Sequence, residues 1–222
     1  MMKPIYAMAL SCLLIGLPDW AFSEPQLYET GPAEESSYVR FVNATDNDIS
    51  VLSSTGSAKI ALKAENDGRA SRFYPVKAGT KLSATLLRGD KKDPVEVTGE
   101  PWEYITIVVL PSSGAQLETK IVRETPTDFN AMKSSIALFN LDAKCQEASV
   151  QGGAKAETIL DKVQSFSVAR RLVNPVKLAA TVTCGATSSN LDLSQLQAGE
   201  RYSIFLINLK NVHQVFFSRE VN

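Results

Sequence analysis

The feature that most constrains the fold is an internal duplication of the sequence. Four pairs of segments recur in the same order, at a nearly constant spacing of just under one hundred residues: 37–43 with 134–140, 81–86 with 177–182, 104–109 with 202–207, and 123–124 with 219–220. Ordered matches at one spacing indicate a single structural unit that is used twice. The chain has 222 residues, which is enough for two small domains of that size.

Each copy has the sequence pattern of a β domain. Runs rich in Val, Ile, Thr, Tyr and Phe alternate with turn clusters such as 45–48, 65–68 and 88–90. The last two strands of each copy predict a hairpin, which turns at 111–114 in the first copy and at 210–211 in the second. Short strands separated by frequent turns are typical of small antiparallel sandwiches.

We therefore predict an all-β fold of two tandem antiparallel β-sandwich-like domains related by internal duplication. The stretch 154–163 is the one segment whose pattern is equally compatible with a helix. The boundary between the copies is expected near Pro126, which interrupts the strand pattern. The predicted domains are 24–124, an N-terminal β domain, and 125–222, a C-terminal β domain.

The first 23 residues have the pattern of a secretory signal peptide. Lys3 precedes an apolar run from Ile5 to Leu17, and Ala21 and Ser23 place small residues at a cleavage site. The run is shorter than the roughly 20 residues that a membrane-spanning helix needs. We therefore predict a signal peptide at 1–23 and an exported, periplasmic chain.

Cys145 and Cys184 are expected to form a disulfide. Cys12 lies in the predicted signal peptide, so an even pair remains after export, and an even pair in an oxidising compartment indicates a structural bridge. The two cysteines are too far apart in sequence for a redox or zinc CxxC motif. The bridge would join residues 39 positions apart, and closing a loop of that length stabilises a domain by roughly 3–4 kcal/mol. Because the first copy has no cysteine, we expect reduction to destabilise the second domain selectively.

Residues suited to catalysis or metal binding are sparse. The single histidine, His213, falls on the apolar face of its predicted strand, and it is interpreted as a packed or rim side chain. The sequence contains no Gly-x-Ser-x-Gly nucleophile motif, and one histidine cannot build a histidine-rich metal site. Asp46, Asp48 and Asp67 are interpreted as turn residues rather than calcium ligands. We expect no enzyme activity, no catalytic residue, no metal and no cofactor.

Binding to other molecules is the alternative to catalysis. The net charge of −1 argues against nucleic acid, because nucleic-acid binding needs a basic excess. Clusters of Lys and Arg in both copies are either solvated surface or contacts for an acidic partner or a polyanionic saccharide. The segment 24–37, which contains Leu27 and Tyr28, either pairs with the sheet edge of a partner or folds back on its own domain.

Trp102 is a second candidate for a binding residue. Glu100 and Glu103 flank this tryptophan, a combination found in sugar clefts that is also explained by a turn before a strand with a partly buried Trp. The residues that we expect to contact a partner or a glycan are Tyr28, Arg40, Trp102, Arg170, Arg171 and Lys177.

Residues 26–28 are Gln-Leu-Tyr and are followed, after a short spacer, by the segment 37–43, Ser-Tyr-Val-Arg-Phe-Val-Asn. These strings resemble the mature start of the AlgF family of periplasmic alginate O-acetylation proteins. The segment 170–177 contains Val-Asn-Pro-Val-Lys, which is similar to a sequence in the second half of the family. With the duplicated layout and the signal peptide, the resemblance covers essentially the whole mature chain. It implies a role in acetylating mannuronate residues of the exopolysaccharide alginate.

The resemblance also implies a division of labour in alginate biosynthesis. Members of the family act with a membrane acyl transporter and with two acetyltransferase-type partners that carry Ser-His-Asp chemistry. We therefore expect a non-catalytic adaptor that docks the periplasmic alginate acetyltransferases by protein–protein interaction. The acyl transporter and alginate itself are further candidate partners. The alternative expectation is a carbohydrate-binding module for an anionic polysaccharide.

Overall fold

The computed structural model describes residues 35–54, 59–111, 116–153 and 155–220, and these residues form an all-β fold. The first copy contains β1 Ser36–Asn43, β2 Ile49–Ser53, β3 Lys59–Leu62, β4 Tyr74–Lys77, β5 Lys81–Arg88, β6 Lys91–Thr98, β7 Tyr104–Leu110 and β8 Glu118–Glu124. The second copy contains β9 Ser134–Asn140, β10 Glu147–Gly152, β11 Glu157–Gln164, β12 Ser167–Val173, β13 Lys177–Cys184, β14 Thr187–Gln195, β15 Arg201–Leu209 and β16 Val212–Arg219. The predicted signal peptide and Tyr28 lie outside the described residues.

The two copies have the same strand order, which confirms the predicted duplication. In each copy one sheet, here called the inner sheet, has the order β4-β1-β7-β8 or β12-β9-β15-β16. The other sheet, the outer sheet, has the order β3-β2-β5-β6 or β11-β10-β13-β14. The two sheets of a copy pack face to face as a sandwich, so the prediction of two tandem sandwiches is confirmed.

The final hairpin of each copy forms as the sequence predicts. In the second copy β15 and β16 are joined by Lys210 and Asn211, whose φ angles are 52° and 68°. Two successive residues with positive φ define the turn that matches the twist of paired strands. The segment 154–163, by contrast, contains no helix in its described part, because residues 157–164 form β11 along the edge of the outer sheet.

One pairing in each sandwich is parallel, which departs from the antiparallel pairing that the sequence predicts. β1 runs parallel to β7, and β9 runs parallel to β15. These strands occupy the centre of the inner sheets, where both faces are covered. Strands buried on both faces have nearly continuous apolar sequences, as β7 does with only Tyr104 and Thr106 carrying polar groups.

Three hydrophobic clusters hold the fold together. One fills the first sandwich and one fills the second. The third lies between the two inner sheets and includes Val42, Val108, Phe139, Phe205 and Phe216, each at most 2% exposed. Burying one such side chain stabilises a protein by about 1.5–3 kcal/mol. The two sandwiches therefore share a core, and the described residues belong to one compact unit.

The structural repeat differs by one residue from the sequence match at β7 and β15. Tyr104 lies opposite Tyr38, and the equivalent of Tyr38 in the second copy, Ser135, lies opposite Arg201. Tyr104 therefore corresponds to Arg201, and its match to Tyr202 was wrong by one position. A one-residue shift moves a side chain to the opposite face of a sheet. Tyr202 accordingly packs in the second core.

The predicted disulfide joins Cys145 to Cys184, with a Cα–Cα distance of 5.7 Å. Cys184 is the last residue of β13 and lies opposite Ala148 of β10. Cys145, which is fully buried, lies two residues before the start of β10. The bridge therefore links the start of one central strand of the outer sheet to the end of its neighbour. Within the described ranges, no helix has the length and apolar character needed to cross a membrane.

Candidate binding surfaces

A network of charged side chains lies buried between the two sandwiches. Glu220, just past the end of β16, accepts hydrogen bonds from Arg170 Nη2 (2.7 Å), Arg201 Nε (2.7 Å) and Ser203 Oγ (2.5 Å). Arg170 also pairs with both carboxylate oxygens of Glu124, at the end of β8. Bidentate pairs between arginine and a carboxylate are strong and directional. The network therefore ties β12 to the final strands of both copies.

Arg40 occupies the centre of the same interface and is 1% exposed. Its guanidinium carbon lies 4.4, 4.5 and 4.8 Å from the ring centres of Phe73, Phe139 and Phe205. Its Nε donates to Thr106 Oγ1 at 2.9 Å. Ring faces attract a cation that has lost its water. Burial lowers the pKa of Arg40 to about 10, so the group remains charged at neutral pH.

The electrostatics of the network keep Glu220 ionised. Burial alone would raise the pKa of Glu220, but the charges of Arg170, Arg40 and Arg201 outweigh it and lower that pKa to about 2. Burial alone would lower the pKa of Arg170, but hydrogen bonds and charge from Glu124 and Glu220 raise that pKa above its ordinary value. The network holds three cations and two anions, and the aromatic rings around Arg40 accommodate the additional charge.

This burial corrects the expectation for two candidate contact residues. Arg40 is 1% exposed, and the Arg170 side chain is 10% exposed with its guanidinium paired to Glu124 and Glu220, so neither is displayed as a surface contact. Their role is to join the sandwiches. Their partners, Glu124 and Glu220, were not predicted, although the fourth repeat match contained both. A carboxylate recurring at the last strand of each copy was the signal that could have identified them.

The other described candidates lie on the surface. Trp102 is 62% exposed, with a left-handed φ of 64°, in the turn before β7. The predicted turn is therefore confirmed, whereas the expectation of a partly buried ring is wrong. Glu103 is buried and accepts hydrogen bonds from the Glu100 amide and from Arg123 Nη1, so it stabilises this turn. Lys177 is exposed at the start of β13.

His213 lies at the rim of the second sandwich. Its Nδ1 is 2.5 Å from Asp142 Oδ2, and this buried carboxylate also accepts the Lys144 amide and the Asn208 side chain. The contact ties the loop after β9 to the last hairpin. In the described ranges, no three His, Cys, Asp or Glu side chains are grouped to hold a metal ion.

A cleft opens between the two sheets at the same place in both sandwiches, beside the edge strands. In the first it has a volume of about 220 Å³ and is lined mainly by apolar side chains, including Val39, Ile60, Tyr74, Val76 and Leu82. In the second it has a volume of about 360 Å³ and includes Lys133, Glu157, Arg171, Val173, Asn174 and Leu178.

Strand registers make the two clefts directly comparable. Val76 lies opposite Ser37, and Val173 lies opposite Ser134, the equivalent of Ser37. Two positions earlier in each edge strand, the first sandwich has Tyr74 and the second has Arg171. The duplicated fold thus presents one apolar cleft and one cleft that carries charge.

Comparisons with known proteins found distant structural likenesses only. No family model matches the chain, and no curated protein matches its sequence. A candidate cell adhesion protein of Bacteroides uniformis is 10% identical, with a TM-score of 0.29, over 85% of this chain and 98% of that one. A candidate cell adhesion protein of Bacteroides ovatus is 9% identical, with a TM-score of 0.25, over 86% and 99%. The Bacillus anthracis TIE protein is 9% identical, with a TM-score of 0.25, over 78% of this chain and 34% of that one. Likenesses this distant carry no information about function.

Proposed function

We propose that this protein is a non-catalytic periplasmic adaptor in the O-acetylation of the exopolysaccharide alginate, and that it docks the acetyltransferases. The resemblance of 26–28, 37–43 and 170–177 to the AlgF family supports the pathway. The buried interface supports the adaptor role, because a shared core and an ion network hold the two sandwiches in one arrangement. Two unlike clefts on such a body offer partners defined relative positions.

Two cysteines and the single histidine are engaged in structural contacts. Cys145 and Cys184 are bonded to each other. His213 places Nδ1 against a buried carboxylate. These commitments support an assignment in which partner enzymes transfer the acetyl group.

Affinity capture from periplasm tests the adaptor proposal. Immobilised mature protein is expected to recover at least one acetyltransferase from polysaccharide-producing cells, as identified by mass spectrometry. The matched variant His213→Ala is expected to recover the same enzyme and to restore alginate acetylation in cells that lack the wild-type chain. Failure to recover any acetyltransferase would contradict the proposal.

A carbohydrate-binding module for an anionic polysaccharide is the second candidate function. The exposed indole of Trp102 and the cationic side chains of the second cleft favour it. Calorimetric titration with oligomannuronate distinguishes this function, because binding through surface charge weakens as salt rises. Salt-sensitive binding that is lost in Trp102→Ala would support it, whereas no heat of binding would exclude it.

A further inference from the structure

Arg171 crosses the cleft of the second sandwich and is held in place at one end. It projects from edge strand β12, and its Nη1 donates to the carbonyl oxygens of Thr158 and Ile159 in edge strand β11, at 3.1 and 3.2 Å. These carbonyls orient the guanidinium without cancelling its charge. Within the described part of the chain, Nε and Nη2 remain as paired donors that match the two oxygens of a carboxylate.

A second cation lies in the same cleft. Lys133 donates from Nζ to Asn174 Oδ1 at 2.5 Å. Among the described residues, neither Lys133 nor Arg171 has an ion-pair partner, and Glu157 is the acidic side chain in the lining. Two cations therefore face one anion. A local positive excess on a chain with a net charge of −1 favours an anionic ligand.

The first sandwich shows that the fold does not require this charge. Its equivalent cleft has the same flanking strands, and Tyr74 stands where the second sandwich has Arg171. The sandwich therefore closes without a cation at that position. Arg171 and Lys133 are features of one copy, as expected for residues that serve a ligand rather than the shared architecture.

The lining favours an extended peptide over a glycan. Edge strands β11 and β12 border the cleft on its two sides. Edge strands present backbone groups with which an added strand can pair. Val173, Val176 and Leu178 offer apolar contacts to alternate side chains of such a strand. The lining contains no aromatic side chain, so the cleft has no ring face on which a sugar would stack.

We infer that this cleft binds a carboxylate on an extended acidic segment of a protein partner, with Arg171 and Lys133 as its ligands. The inference rests on the proposed adaptor function and names the surface that one partner uses.

Titration with a defined peptide tests the inference. The probe is a fluorescent eight-residue peptide of alternating Glu and Val, measured by anisotropy with the full mature protein. Arg171→Gln is expected to weaken binding about tenfold, the loss of one charge-assisted pair, and added salt is expected to weaken binding of the wild type. Tyr74→Phe, at the equivalent position of the first cleft, is expected to leave binding unchanged. Circular dichroism shows whether each variant is folded.

Two outcomes would overturn the inference: equal peptide binding by the wild type and a folded Arg171→Gln variant, or Arg171-dependent binding of oligomannuronate without binding of the peptide. Affinity capture separates this inference from the adaptor proposal. Equal capture of an acetyltransferase by wild type and Arg171→Gln would overturn the inference that the cleft binds the partner, and would support the adaptor function. Arg171-dependent peptide binding without capture of an acetyltransferase would support the inference about the cleft and contradict the adaptor function.

Discussion

At the scale of single residues, buried charge determines how the two halves of the molecule are joined. Arg40, Arg170 and Arg201 face Glu124 and Glu220 in a largely buried space between the sandwiches. Taking charges out of water is costly, and the cost is offset only while every partner is present. Removing one member of a direct ion pair, such as Glu220, therefore costs more than the pair contributes, because it leaves the partner buried without compensation.

Removing the central carboxylate is the sharpest test of this network. Glu220→Gln is expected to lower the free energy of unfolding by about 3–5 kcal/mol, because Arg170 and Arg201 would lose a buried partner. Urea denaturation followed by tryptophan fluorescence measures the change. The matched control is Glu96→Gln, which breaks an exposed pair with Lys81 and is expected to have a small effect. Equal effects of the two substitutions would contradict the account.

The lowered pKa of Glu220 predicts a specific acid dependence. Its pKa is about 2 in the folded protein, against 4.5 for the free group. The unfolded chain therefore takes up the proton first as the pH falls. The stabilisation from this group is present above about pH 4.5 and is lost between that pH and about 2. Unfolding measured across this window should show a steeper loss in the wild type than in Glu220→Gln, and parallel profiles would contradict the assignment.

Two substitutions of Arg40 separate the contribution of its charge to stability from the contribution of its volume. Arg40→Met keeps most of the side-chain volume and leaves two arginines against two glutamates, so we expect a change within about 1.5 kcal/mol. Arg40→Ala leaves a cavity among three phenylalanine rings and is expected to cost about 2–5 kcal/mol. Thermal unfolding of both variants compares them directly. If Met destabilised as much as Ala, the positive charge itself would be required.

Among the strands, local sequence patterns predicted the features that depend on neighbouring residues, namely hairpins and turns. The hairpins that end each copy followed from turn residues and alternation, and the turn between β15 and β16 lies at its predicted position, 210–211. The one-residue error in matching Tyr104 to Tyr202 arose because each tyrosine precedes an apolar run in the sequence. Their side chains nevertheless occupy opposite faces of equivalent strands. The parallel pairing of β1 with β7 depends on chain segments far apart, which no local pattern encodes.

The burial of Arg40 and Arg170 was missed for a related reason. An arginine in a strand is normally exposed, and its paired carboxylate in this fold belongs to another strand, as Glu124 does for Arg170. The continuous apolar sequence around Arg40, from Val39 to Val42, was the available sign that both faces of β1 are covered. The cleft of the second sandwich likewise depends on Arg171 and Lys133 meeting through the fold.

The disulfide predicts unequal stability of equivalent strands. Replacing both Cys145 and Cys184 with Ser is expected to destabilise the protein by roughly 3–4 kcal/mol. Because the bridge links β10 to β13, protection from hydrogen exchange should fall most in these strands and least in β2 and β5 of the first sandwich. Equal loss of protection in both sandwiches would contradict a selective effect of the bridge.

At the scale of the whole molecule, duplication supplies two similar sandwiches and the interface makes them one body. The inner sheets are covered on both faces, by their own sandwich core and by the shared cluster around Phe139 and Phe205. The outer sheets and the clefts at their edges remain at the surface. An arrangement of this kind suits a protein that positions others, with each copy free to diverge in the cleft that it presents.

Crosslinking in living cells shows whether the protein docks an acetyltransferase. A photoreactive amino acid at the exposed position of Lys177, beside the cleft of the second sandwich, would be activated in cells that produce acetylated alginate. We expect a covalent adduct with a periplasmic acetyltransferase, identified by mass spectrometry. Adducts with the polysaccharide alone, in cells where the protein still supports acetylation, would contradict it.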